Sequence, residues 1–160
     1  MFNGCSSLTK APELPATTLK SYCYEHMFDN CKSLIKAPAL PATTLMNQCY
    51  YYMFYYCKSL TNVPALPATT LANKCYKCMF QSCSSLTTLP SNLLPATTLM
   101  EQCYSNMFDT CTSLTTIPNL PATTLAVSCY ASMFSGCKGL VEPPTGWYLP
   151  ATTLAKQCYN

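Results

Sequence analysis

The apolar positions of this chain recur in one fixed order along its whole length. The unit reads MF-x-x-C-x-S-L-x-x-x-P-x-L-P-A-T-T-L-x-x-x-C-Y-x-x, and its hexapeptide LPATTL stands at 14–19, 40–45, 66–71, 94–99, 120–125 and 149–154. Within one unit, Cys49, Met53 and Cys57 fall at i, i+4 and i+8 with Phe54 beside Met53. That spacing predicts a short helical turn with one apolar side. Leu60 then leads to Pro64 through a position that is aliphatic in five units, Ala11, Ala37, Val63, Leu89 and Ile117. This segment reads as a short strand, bracketed by Pro64 and Pro67, because proline fixes φ and removes a ladder donor. The ATTL that follows is β-prone, since Thr is β-branched and Leu can turn inward.

Met-Phe pairs at 1–2, 27–28, 53–54, 79–80, 107–108 and 133–134 set the period, at spacings of 26, 26, 26, 28 and 26. A repeat of this length is one supersecondary unit that cannot bury its own apolar face and is stable only under its neighbours. The expected fold is therefore an α/β solenoid, short strands plus short helical turns, forming a single domain over 1–160 with rungs starting at 1, 27, 53, 79, 107 and 133. Extra residues fall between prolines, SNLL between Pro90 and Pro95 and TGWYL between Pro144 and Pro150. They are expected as bulged loops on one face.

Charge narrows the function classes. Only 9% of residues are charged, all nine basic residues are Lys, and the net charge is +3. Nucleic-acid binding is disfavoured, because it relies on clustered Lys and Arg for phosphates and on Arg forks for bases. No apolar run approaches 18 residues and no basic, apolar leader is visible, so neither a membrane span nor a signal peptide is expected.

Twelve of the thirteen cysteines fall into two columns. One holds Cys23, Cys49, Cys75, Cys103, Cys129 and Cys158; the other holds Cys5, Cys31, Cys57, Cys83, Cys111 and Cys137. Identical small apolar residues at every rung suit a buried ladder. Helical rise would place Cys49 and Cys57 about 12 Å apart, beyond disulfide reach. Reduced thiol ladders are expected, although bridges between adjacent rungs such as Cys5 to Cys31 are geometrically open.

The run MF-x-x-C-x-S-L, followed by a Pro-rich strand end and a second short element, resembles the BspA-type leucine-rich repeats of bacterial surface proteins, especially the Bacteroides-like variety with LPATTL and CY-x-x-MF. The likeness covers essentially all 160 residues, with P-x-LP replacing the usual IP strand ending. It implies a right-handed leucine-rich-repeat superhelix of about six rungs of 26 residues. It also implies a secreted or surface-anchored protein, extracellular or at the cell surface, that adheres to host or partner molecules.

No catalytic constellation is visible, and the chain is read as a non-enzyme without a cofactor. His26 is the one histidine, stands in a variable outward column, and lacks a recognisable orienting partner for general-base work. Cys75-x-x-Cys78 with Cys83 nearby resembles half a zinc site, yet structural zinc takes four ligands and no second pair lies at finger spacing. No metal site is assigned, and Cys78 is read as a lone surface thiol. Tyr51, Tyr52, Tyr55 and Tyr56 occupy columns that elsewhere hold mostly polar or small residues. They are read as outward-facing, either a recognition patch or a contact between helical turns of adjacent rungs. Trp147 and Tyr148 in the last insertion form a second candidate patch, with a lid over the final rung as the alternative. The Thr pairs, Thr17–Thr18 through Thr152–Thr153, resemble the hydroxyl arrays of ice-binding coils. Those follow T-x-T, however, so a cross-rung hydroxyl ladder supporting the sheet is the favoured reading.

The functional expectation is a surface scaffold for protein or glycan recognition, adhesin-like. The alternative is a structural subunit that self-associates head to tail into a filament.

Overall fold

The computed structural model describes residues 1–160. The units fold around long runs of consecutive turns, at 21–30, 47–56, 73–82, 101–110 and 127–136. Backbone hydrogen bonds in these runs alternate in destination. In the run 47–56, Cys49, Tyr51, Met53, Tyr55 and then Cys57 donate to the carbonyl three residues back, at 3.1–3.3 Å. The intervening Gln48, Tyr50, Tyr52, Phe54 and Tyr56 donate instead to Asn73, Cys75, Lys77, Met79 and Gln81 of the next unit, at 2.9–3.1 Å.

This alternation explains why no helix forms. An α-helix needs each N–H to reach the carbonyl four residues back, and here every second donor is committed to the neighbouring unit. The dihedral angles agree, since Gln48, Tyr52 and Tyr56 have φ of 54°, 52° and 59°. Each sits at the third position of an overlapping turn, where a type II turn requires positive φ. The same register recurs at Tyr22, His26 and Asn30, at Lys74, Cys78 and Ser82, and at Gln102, Asn106 and Thr110.

The expected α/β architecture, with the right-handed leucine-rich-repeat superhelix of strands and helical turns that the resemblance implied, is thus corrected. The molecule contains no helix and no extended strand; regular pairing is limited to isolated parallel bridges, Lys10–Lys36–Asn62, Thr44–Thr70 and Thr98–Thr124–Thr153. The Leu-to-Pro segment read as a strand contributes one bridging residue per unit at most, because the prolines interrupt pairing within a few residues. The short helical turn expected at Cys49–Cys57 is the turn run just described.

The units nevertheless lie directly over one another. Phe2, Phe28, Phe54, Phe80, Phe108 and Phe134 form one column of stacked rings, with centroids 5.4–5.8 Å apart and planes within 8°. A second column runs through Tyr24, Tyr50, Tyr76, Tyr104, Tyr130 and Tyr159 at 5.7–5.9 Å. Leu34, Leu60, Leu86 and Leu114 are completely buried beside them, as are Met53, Met79 and Met107. Each buried Leu, Met or Phe contributes about 1.5–3 kcal/mol, and each aromatic pair adds about 0.5–1.5 kcal/mol.

The two insertions behave differently. In the fourth unit, Leu93 and Leu94 enter the core, at 3% and 2% exposure, and the Ser91 carbonyl accepts the Asn119 N–H at 2.8 Å. The bulged loop expected there is therefore half interior. The segment 142–146 of the sixth unit is exposed throughout, as a bulge should be.

Candidate functional site

The turn runs give the molecule a face on which buried and outward residues are interleaved. Met53, Phe54 and Cys57 are buried, while Tyr51, Tyr52, Tyr55 and Tyr56 are half-buried. The four rings interlock, Tyr51 against Tyr52 at 4.4 Å, Tyr52 against Tyr55 at 5.1 Å and Tyr55 against Tyr56 at 5.8 Å. The first two contacts are edge-to-face, a geometry that the ring quadrupole favours. The patch extends into the preceding unit, where the His26 ring stacks on Tyr52 at 4.9 Å and meets Tyr51 edge-on at 5.8 Å. Contact between neighbouring turn runs therefore exists, but it leaves all four tyrosines partly open to solvent.

His26 has a partner that sequence reading did not find. Its Nδ1 lies 2.7 Å from Asp29 Oδ2, and Asn30 Nδ2 donates to Asp29 Oδ1 at 2.8 Å. The i,i+3 spacing was the available signal. Both carboxylate oxygens of Asp29 are thereby engaged, one by His26 and one by Asn30.

Sequence reading also missed Lys32 and Lys58, which belong to this patch. Their ammonium groups sit over the Tyr56 ring, Lys58 Nζ at 4.5 Å and Lys32 Nζ at 5.7 Å from its centre. Both stand in one column, 26 residues apart, and that shared column was the legible signal.

Cys78 is corrected from a surface thiol to a buried one, at 2% exposure. A small side chain in an otherwise outward column sinks beneath the larger rings of the neighbouring turn, and burial pushes its thiol above the ordinary value. Burial likewise raises Tyr51 and Tyr52, the latter also through a hydrogen bond with Cys78. No group of three or more His, Cys, Asp or Glu side chains is placed to hold a metal ion.

The cysteine columns differ from each other in chemistry. Cys31, Cys57, Cys83, Cys111 and Cys137 each donate Sγ–H to the Phe carbonyl of the preceding unit, at 3.1 Å in every case. The other column has one such bond, a long one from Cys129 to the Cys158 carbonyl at 3.9 Å, and otherwise serves as packing. All thirteen cysteines are unpaired. Cys5 and Cys23, in the outermost unit, are exposed rather than buried.

Trp147 and Tyr148 separate. Trp147 Nε1 donates to the Pro118 carbonyl of the preceding unit at 3.1 Å, and its half-buried ring packs against the core. Tyr148 remains 72% exposed. Beneath Trp147 lies an open cavity of about 470 Å³, lined by Ile117, Leu120, Met133, Phe134 and others.

The threonine reading is corrected as well. Every member of the six pairs is exposed, and cross-unit bonding at this corner is carried by the backbone, as in Leu45 N–H to the Thr70 carbonyl at 2.9 Å and Leu99 N–H to the Thr124 carbonyl at 3.0 Å. The chain bends at these pairs, which splays both side chains outward and leaves no hydroxyl-to-hydroxyl ladder.

No family model, curated protein or solved structure matches this chain. No helix is long and apolar enough to cross a membrane.

Proposed function

We propose that this protein is a non-enzymatic recognition scaffold, adhesin-like and acting outside the cell or at its surface, that contacts a protein or glycan through the outward residues of its turn runs. One observation carries the reading: four half-exposed tyrosines interlock with one another on a face whose buried positions repeat and whose outward positions vary. Amphipathic rings held in place by their neighbours offer large contact area at little entropic cost. The likeness to BspA-type surface repeats supports the same assignment.

The test is Tyr51→Ser combined with Tyr55→Ser, screened with the parent chain on immobilised matrix proteins and glycans. Ser is a residue the same columns already carry, at Ser105 and Ser135, so folding should persist by circular dichroism. Loss of two well-placed aromatic contacts should weaken binding by at least tenfold, about 1.4 kcal/mol. Undiminished binding in a folded double variant would remove the tyrosine face from recognition.

A further inference from the structure

Resting on that reading, we infer that the ligand of the tyrosine face is an acidic polysaccharide, a chain of sugars bearing carboxylate or sulfate groups. Three features of the patch lead there. The first is charge. Lys32 and Lys58 are exposed and neither has a carboxylate within ion-pair distance, because the one carboxylate contact of that kind in the molecule joins Asp29 to His26. Two ammonium groups therefore stand over the Tyr56 ring with no carboxylate in contact, while the two acids of the same face are Asp29, held by His26 and Asn30, and Glu25, whose charge reaches Tyr51.

The second feature is shape. The cavities at the Pro-rich corner of 10–15 and 36–41 and around the last insertion include none of the four tyrosines. Protein partners draw most of their affinity from side chains that fill desolvated pockets, and small ligands need enclosing concavities. A shallow platform favours a polymer that lies along it. Sugar rings do so through their C–H faces, which pack on aromatic faces while their hydroxyls stay in water.

The third feature is fixed orientation. Tyr52 is held between His26 and Tyr55, and the Tyr52 and Tyr56 amides are bonded to the next unit at 3.1 and 2.9 Å. The platform is consequently ordered before a ligand arrives, which lowers the entropic cost of a weak, extended contact. The ammonium groups supply attraction for the anionic substituents, and the rings supply contact with the sugar faces.

The experiment uses the full chain and three probes: an oligogalacturonate, a neutral galactan oligosaccharide and a poly-glutamate peptide, with binding followed by calorimetry. Binding to the oligogalacturonate alone is expected, weakening as NaCl rises. Lys32→Ser with Lys58→Ser, using the residue found in the same column at Ser84, should reduce it about tenfold, as two ion pairs of up to about 1 kcal/mol each would. Equal binding of the galactan, equal binding of poly-glutamate, or an unaffected lysine variant overturns the inference. If no saccharide binds while a protein ligand is lost with Tyr51→Ser and Tyr55→Ser, the inference fails and the recognition reading stands. If nothing binds through the tyrosines at all, both fall.

Discussion

Lys74→Gly separates the turn-run architecture from a helical one by the sign of its effect. Lys74 has φ of 58°, its N–H donates to the Glu101 carbonyl at 2.9 Å, and its side chain makes no hydrogen bond. In an exposed helical position, replacement by Gly costs about 0.5–1 kcal/mol. In the left-handed region, the side chain itself is unfavourable by about 1–2 kcal/mol, and Gly removes that term. The greater freedom of Gly in the unfolded chain takes back about 0.4–1 kcal/mol, leaving a net gain of roughly 0.5–1 kcal/mol. Ser128, with φ of 52°, offers an independent second site two units away, and distant effects add. The double variant Lys74→Gly, Ser128→Gly should raise the thermal midpoint by about 2–6 °C for a chain of this size, followed by circular dichroism with Lys74→Ala as a control that retains the strain. A fall in the midpoint for both Gly variants would refute left-handed geometry at every fourth residue and return the turn runs to helix.

Two further outcomes follow from the buried thiols. Cys83→Ala and Cys75→Ala both remove a fully buried sulfur, but only Cys83 donates to a Phe carbonyl, that of Phe54; chemical denaturation should show Cys83→Ala to be the more damaging by about 0.5–1.5 kcal/mol, and equal losses would reduce the thiol column to packing alone. Burial pushes the thiols of Cys49 and Cys57 up to about 12 and that of Cys137 up to about 11, from an ordinary 9.0. A raised acid favours the protonated folded state, so its stabilising effect is complete below pH 9 and is lost as pH rises from there toward the folded values, by up to about 1.4 kcal/mol per thiol for each pH unit. Thermal midpoints should hold level from neutral pH to about 9 and then fall steeply, and a flat profile through pH 11 would contradict burial of the thiols.

Much of the packing was legible because apolar columns announce themselves by repetition. Leu34, Leu60, Leu86 and Leu114, with Phe28, Phe54, Phe80 and Phe108 and the inner cysteines, recur at the same places in successive units and are buried. The backbone was misread for a definite reason. A left-handed residue at every fourth position, such as Gln48, Tyr52 and Tyr56, gives the chain a four-residue repeat close to the 3.6 of a helix, so Cys49, Met53 and Cys57 satisfy either pattern. Gly or Asn at the left-handed positions would have exposed the difference. Gly4, Asn30, Asn106 and Gly136 do hold such positions, but Tyr, His, Gln, Lys, Ser, Thr and Cys fill the others and hide the signal. The column of Tyr24 through Tyr159 was also visible as an invariant Tyr after Cys, and its meaning as a stacked spine, interior from Tyr50 to Tyr130, was missed because Tyr is intermediate in burial and its type alone does not place it inside or outside.

The same alternation of hydrogen bonds that excludes helix also explains why this architecture can carry a variable outward face. Half of the donors in each turn run are satisfied only by the next unit, so the backbone is held by the stack and not by the side chains that point outward. Tyr52, Cys78, Asn106 and Ser132 all occupy one such column at φ of 52–56°, with four different chemistries and the same backbone bond to the following unit. Outward positions are therefore free to diverge at little cost to folding, while Phe, Leu and Cys inside cannot. A tyrosine cluster confined to one turn run is the kind of local specialisation this permits, and its rigidity depends on the unit beneath it, since Tyr52 and Tyr56 are anchored through Lys77 and Gln81. On the proposed reading, recognition would be a property of adjacent units acting together, with the rings and ammonium groups supplied by two turns and their orientation by a third.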